Sequence, residues 1–224
     1  MSGLAETVSL GPRAQGLFIT FEGGEGAGKS TQIARLAAWF DARGHTPVIT
    51  REPGGTPGAE TIRALLIDPA RPAWQPSSEM LMHLAARCDH AERVIWPALA
   101  DNRVVLSDRF ADSTRVYQGL ADALALELID AVHDLLLRLW RPDLTLVLDV
   151  PVETGLARRA QAGGGNRYEQ KDAPFHERVR QGFLRLAEAE PARMVVIDAS
   201  QGEDAVARAI IDTIEARFPD WLPA

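Results

Sequence analysis

The stretch "GGEGAGKS", Gly23 to Ser30, sets a lysine and a hydroxyl at the end of a run containing four glycines. Glycines let successive backbone N–H groups turn inward, and a helix starting there adds partial positive charge, so such a loop can cradle phosphate. The spacing is G-x-x-x-x-G-K-[ST], with an apolar strand-like run before it and a helical pattern after it. In this pattern Lys29 reaches the β- and γ-phosphates of a nucleoside triphosphate, and the Ser30 hydroxyl binds Mg²⁺. Gly24, Glu25, Gly26, Ala27, Gly28 and Thr31 complete the loop. Lys29 and Lys171 are the only lysines in the chain, so abundance does not explain the match.

Other polar groups sit where a buried strand would release them. "VVLSDRF" places Asp108 and Arg109 just past the carboxyl end of an apolar run, the ligand edge of an open α/β sheet. Asp108 can help hold Mg²⁺ and Arg109 can grip a phosphate through two N–H groups, although an Asp-Arg pair can equally cap a helix. "ADSTRVYQG" offers Ser113, Thr114, Tyr117 and Gln118, which read as helix caps or as donors and acceptors for a base edge. "TREPGGTPG" brings Pro53 and two glycines to the same edge as a stiff turn. "GLARRAQAGGGNRYE" joins Arg158, Arg159 and Arg167 to a glycine hinge; it reads as a solvated helix end or as a basic lid that closes on a triphosphate.

Five apolar runs could position these groups: residues 17–21, 46–50, 103–107, 144–150 and 194–198. They are nearly continuous in Val, Ile and Leu, as strands covered on both faces should be. Helical patterns separate them. One closes at Gly44 as a C-cap, one starts at Ser77 as an N-cap, one covers "DALALELIDAVHDLLLRL", and "DAVARAIIDTIEARF" finishes the chain. This alternation predicts a parallel sheet flanked by helices on both faces, a single α/β domain over 16–224. The glycine-rich segment lies between helical patterns and suits a lid at about 157–170 rather than a boundary. Residues 1–15 read as a flexible extension.

The net charge of −7 argues against a general nucleic-acid or membrane-surface binder, which carries a broad basic face. A single cysteine, Cys88, permits no intrachain disulfide and no cysteine metal cluster. No apolar run approaches the roughly 20 residues that span a bilayer, and the N-terminus lacks the pattern of a secretory signal. The expectation is a cytoplasmic protein.

Taken together, "FEGGEGAGKST", "TREPGGTPGAETIRALL", "EMLMHLAARCDHAERVIWPAL", "DRFADSTRVYQG", "RPDLTLVLDVPVETGLARR", "NRYEQKDAPFHERVR" and "VIDASQ" resemble the bacterial thymidylate kinases from about Leu17 to Phe218. The loop is generic, whereas "TREPGGT" with "DRFxDSTxxYQG" is close to diagnostic. The resemblance implies a P-loop nucleoside monophosphate kinase fold. It also implies γ-phosphoryl transfer from ATP to dTMP with Mg²⁺, in a homodimer. It assigns Glu25 to the 3′-hydroxyl of the acceptor sugar, Arg109 to the dTMP phosphate and Asp108 to the metal region. Arg87, Thr114 and Gln118 fall where the family reads thymine, and Tyr117 where it packs the deoxyribose. Tyr168 falls near C2′, and Glu52-Pro53 at a turn whose peptide bond is often cis. Gly26 stands where some relatives have a basic loop residue. In the subgroup without it the charge comes from the lid, here Arg158, Arg159 and Arg167.

Three departures stand out. His83 replaces the aromatic residue that stacks on thymine, and introduces a group that ordinarily titrates near neutral pH. Gln161 and Ala162 occupy lid positions where arginines are frequent, and Asn166 replaces an aspartate. Two other readings remain: a kinase for a different nucleoside monophosphate in the same fold, and a nucleotide-binding switch that has lost transfer.

Overall fold

The structure, a computed structural model, describes residues 16–71, 73–137, 140–162 and 165–221. The extension expected over 1–15, and Gly163 and Gly164 in the lid, lie outside the described residues. Five strands form one all-parallel sheet: β1 (Leu17–Glu22), β2 (Val48–Arg51), β3 (Val104–Asp108), β4 (Leu144–Asp149) and β5 (Met194–Asp198). Their spatial order is β2-β3-β1-β4-β5. Register pairs Phe21 with Asp108, Arg51 with Asp108 and Glu22 with Val147, so the polar strand ends finish level along one edge.

The apolar runs predicted the strands, but burial on both faces holds only for the three inner ones. The edge strands β2 and β5 leave Ile49 57% and Val196 43% exposed, because neither has a neighbour on its outer side. Within β1, Leu17, Ile19 and Phe21 face one layer, packing with Ile33, Leu36 and Phe40 of α1 (Lys29–Asp41) and Val206, Ile210 and Ile214 of α9 (Glu203–Arg217). Phe18 faces the other layer, against Ile95, Leu99 and Phe110. This alternation is the strand period of two turned into two cores.

Helix α1 ends as its sequence predicts. Gly44 lies at φ 83, its N–H donates to Asp41 O at 3.0 Å and the His45 N–H donates to Phe40 O at 3.1 Å, a Schellman closure. Helix α2 (Pro57–Ile67) is capped by Thr56, whose hydroxyl accepts the Ala59 N–H at 3.1 Å. The expectation of Ser77 as an N-cap is corrected: Gln75 is the N-cap, two residues earlier, with Pro76 in the first helical position of α3 (Pro76–His90) and no side-chain cap. Proline suits that position because the N–H it lacks would be unpaired there anyway.

Two helices then widen to π-type turns. Residues Ala91–Ile95 join α3 to α4 (Trp96–Ala100), and Arg115–Ala121 continue α5 (Ala111–Thr114). Such insertions are frequent at functional sites. Helix α6 (Leu126–Leu137) starts later than its apolar pattern, since Ala123 takes φ 64 and turns the chain first. The segment expected to be a lid, about 157–170, spans the end of α7 (Val152–Ala162) and the chain before α8 (Ala173–Ala189), and Asp172 caps α8 by accepting the Phe175 N–H at 3.0 Å. Among the described residues no helix is long and apolar enough to cross a membrane.

The glycine loop packs backbone to backbone on α7. A Cβ on Gly26 would stand 1.9 Å from Gly155 O, and one on Gly155 would stand 2.4 Å from Glu25 O. Glycine to alanine inside a helix ordinarily stabilises by about 1 kcal/mol. Gly155→Ala is expected to do the reverse and destabilise by about 1–3 kcal/mol through overpacking. Denaturant unfolding of the two proteins reads the sign directly.

Candidate active site

Gly28, at φ 87, opens α1 with no side-chain cap and no acid in the first turn. The first helix N–H groups therefore stay available to an anion. Lys29 is buried and folds back on its own loop, donating to Gly23 O at 3.3 Å and Gly24 O at 3.1 Å. The Ser30 hydroxyl lies 3.3 Å from Asp108 Oδ2. Among the described residues no group of three His, Cys, Asp or Glu could hold a metal by itself. A hydroxyl beside one carboxylate nevertheless fits Mg²⁺, which takes one or two protein oxygens and completes its shell with phosphates and water.

Arg109 follows β3 with φ 72, a left-handed conformation that few side-chain-bearing residues adopt. Its N–H bonds Phe21 O at 2.9 Å and its carbonyl accepts the Ser107 hydroxyl at 2.8 Å, so both neighbouring strands impose the turn. The strain aims the guanidinium back over the loop. Nη1 donates to Gly23 O at 3.1 Å and Ser113 Oγ at 3.2 Å, and Nη2 to Glu25 Oε1 at 3.2 Å. The Tyr117 hydroxyl also donates to Glu25, at 3.2 Å. Burial works against the Glu25 carboxylate, but Arg109 and then Lys29 outweigh it and hold its pKa below the usual range. Glu25 is thus an ionised acceptor.

Beneath them is Glu22, fully buried at the end of β1 and absent from the sequence-based site. It accepts the Phe110 N–H at 2.9 Å, the Ser113 N–H at 3.2 Å and the Ser113 hydroxyl at 2.6 Å, fixing the start of α5. Burial pushes its pKa up to about 7, against the opposing pull of Arg109. The sequence signal for it was a lone acid ending an apolar strand.

At the other end Arg87 is buried between three elements. Its Nε donates to Glu52 Oε2 at 2.7 Å, and its Nη2 to Phe110 O and Thr114 Oγ1 at 3.0 Å each. Burial opposes ionisation of Glu52, but Arg87 prevails and lowers its pKa. The Glu52-Pro53 peptide is cis. Gln118 is engaged by Glu79, donating through Nε2 at 2.8 Å. His83 Nε2 lies 3.0 Å from the Tyr168 hydroxyl. The expectation that His83 titrates near neutrality is corrected: burial first, then Arg87, pushes its pKa down to about 3, so it is a neutral ring.

The three lid arginines go to three places. Arg158 Nη1 donates to Ala199 O at 2.9 Å, Arg159 pairs with Glu169 at 2.9 Å, and Arg167 pairs with Glu79. A cavity of about 700 Å³ runs from Glu25–Thr31 past Asp108 and Arg109 to Pro53, His83, Arg87, Ser113, Thr114, Tyr117, Gln118 and Tyr168. Arg158 and Arg159 line it, whereas Arg167 is bonded to Glu79 of α3. Sequence reasoning missed the wall formed by Gln201, Glu203 and Val206. It also missed Arg63, which lines the acceptor side and donates to Pro53 O at 2.7 Å. "VIDASQ" was the available signal for the first; Arg63 had none beyond its charge.

Glu22 makes a pH prediction. Its raised folded pKa favours folding below about 4.5, and that contribution is lost as pH rises through about 7. Urea unfolding at pH 5 and 7.5 should show Glu22→Gln removing up to about 3 kcal/mol of that fall.

Comparison with known proteins agrees with this geometry. The family model described as thymidylate kinase matches residues 21–210. The chain is 55% identical over 204 residues to a thymidylate kinase of Caulobacter vibrioides, covering 91% of this chain and 98% of that one. It is 50% identical over 210 residues to a thymidylate kinase of Geobacter sulfurreducens, covering 91% and 99%. The crystal structure of thymidylate kinase from Ehrlichia chaffeensis superposes with a TM-score of 0.71 at 33% identity, covering 89% of this chain and 98% of that one. With the phosphate loop, the Asp108-Arg109 turn and the cavity on one edge of the same sheet, the chain belongs to the thymidylate kinase family.

Proposed function

We propose that this chain phosphorylates dTMP to dTDP with ATP as donor. The observation that carries the reading is the single cavity, with the phosphate loop at one end, Arg87, Thr114 and Gln118 at the other, and Arg109 between them. Lys29 and the α1 amides hold the donor phosphates, and Arg109 holds the acceptor phosphate. Because the dTMP phosphate oxygen is already anionic, in-line attack needs no strong base. Positioning and charge stabilisation account for the rate. Glu25, an acceptor only, takes the 3′-hydroxyl. Tyr168 leaves little room for a 2′-hydroxyl. Arg158 and Arg159, brought by α7, neutralise charge as the lid over 157–170 excludes water. Held between Ser30 and Asp108, Mg²⁺ would supply countercharge to the donor phosphates.

The remaining features follow the same reading. The chain acts in the cytoplasm as one domain over 16–224, and its net charge of −7 argues against a nucleic-acid or membrane partner. A homodimer is supported by the exposed apolar face of α6, where Leu128, Leu135 and Leu136 are 45%, 80% and 47% exposed, and by Leu81 of α3, a helix in contact with α6, at 53%. Dimer interfaces of this kind are apolar at their centre.

Purified protein with ATP, Mg²⁺ and each nucleoside monophosphate in turn tests the function. Expected is strong ADP release with dTMP, weak release with dUMP and negligible release with dAMP, dCMP, dGMP or UMP. Equal turnover with another acceptor favours the different-kinase reading, and ATP binding without turnover favours the switch. His83→Phe should lower the KM for dTMP severalfold with kcat little changed, since base–aromatic stacking is worth about 1–3 kcal/mol and imidazole offers a smaller face. An unchanged or raised KM would refute it.

A further inference from the structure

Glu79 has no role in the chemistry above, yet it is 4% exposed and gathers three groups from two segments. Its Oε1 accepts Gln118 Nε2 at 2.8 Å and the Tyr168 hydroxyl at 2.7 Å, and its Oε2 accepts Arg167 Nη2. Gln118 belongs to the base end of the cavity, whereas Arg167 and Tyr168 belong to the lid. Glu79, His83 and Arg87 are spaced by four along α3, so they share one helix face. A carboxylate only accepts, so the Tyr168 proton goes to Glu79, and a lone pair of that hydroxyl receives the N–H of His83 Nε2. One tyrosine hydroxyl thereby connects the carboxylate to the ring at the stacking position.

We propose that Glu79 is the catch of the lid, a positioning residue that holds Arg167 and Tyr168 against α3 and, through Gln118, ties lid closure to the base end of the cavity. Other contacts guide the lid to this place. The Arg167 N–H donates to Ile67 O at 3.0 Å, and the Tyr168 ring meets Tyr117 edge-on at 5.5 Å. Those contacts are neutral and directional. The Glu79–Arg167 pair supplies charge where both side chains are largely buried, which strengthens such bonds relative to neutral ones. A base that draws the Gln118 amide toward itself releases one demand on Oε1 and leaves that oxygen to Tyr168. Acceptor binding and lid fastening are then coupled through a single carboxylate. The catalytic consequence rests on the dTMP kinase reading, while the fastening itself does not.

Hydrogen exchange of residues 165–171 separates the two. It is followed without nucleotide in the intact chain and in Glu79→Gln, Glu79→Asp and Arg167→Met, with melting temperature recorded for each. All three variants should exchange faster across 165–171 by about tenfold, the scale of one charge-assisted hydrogen bond. Exchange within α3 should stay unchanged. Glu79→Asp is decisive, because it keeps the negative charge at the start of α3 but draws the carboxylate back by one methylene. In steady state the variants should raise the KM for dTMP about tenfold and leave that for ATP unaltered. Glu79→Gln and Arg167→Met should combine with less than additive effect. Lid exchange unchanged in Glu79→Gln, or a Glu79→Asp protein that behaves as the wild type, would overturn the proposal. So would α3 loosening together with the lid. Absence of dTMP turnover in the wild type would refute the functional reading, and lid exchange would still decide the role of Glu79.

Discussion

Everything at the carboxyl edge of the sheet depends on two cations kept largely out of water. Lys29 and Arg109 are both largely buried, and burial alone penalises their charge heavily. The fold offsets that penalty fully for Arg109, whose pKa is raised, and in part for Lys29, whose pKa is lowered by burial and by Arg109. Lys29 turns to the loop carbonyls of Gly23 and Gly24, and Arg109 turns to Gly23 O, Ser113 and Glu25. These partners also specify where the cations stand. An incoming phosphate therefore meets charges already aimed and largely dehydrated, the condition under which electrostatic stabilisation is strongest.

Rigid supports explain how such an arrangement persists. Behind the site, Arg193 donates to Asp112 and Thr145 at 2.7 Å each, and Thr145 meets Thr20 at 2.8 Å. Asp112 sits beside Ser113 and Thr114, so this network fixes the short helix that follows Arg109. Glu22 holds the same helix from the strand side. The loop itself is pinned to α7 by the close approach of Gly26 and Gly155, which places Arg158 and Arg159 on the helix that touches the phosphate loop. The two ends of the site and α7 thus share a frame of buried side-chain hydrogen bonds and one close backbone contact.

Much of this was legible in the sequence, and the division follows range. The inner strands, the loop spacing and the Gly44 closure depend on neighbours within a few residues, and each appears where the pattern predicts. Lys29, Ser30, Asp108 and Arg109 converge because parallel strands end level, a rule that needs only the strand pattern. Glu22 and Glu79 escaped notice because their partners lie 88 and 89 residues away, as in Glu22 to Phe110 and Glu79 to Tyr168. A buried acid looks like any other acid until the groups that satisfy it are in place. His83 shows the same limit. Its ordinary pKa is a property of the residue, whereas the value near 3 belongs to the burial and to Arg87. The π-type turns in two helices follow from tertiary packing, and no residue pattern announced them.

We propose that Arg109 grips the phosphate of the acceptor while the far end of the cavity reads its base. Titration calorimetry with dTMP and with thymidine, against the wild type and Arg109→Met, tests it most directly. The account predicts that Arg109→Met weakens dTMP by at least about tenfold, the loss of a charge-assisted contact, and leaves thymidine unchanged. Unchanged dTMP affinity, or an equal loss for thymidine, would contradict it.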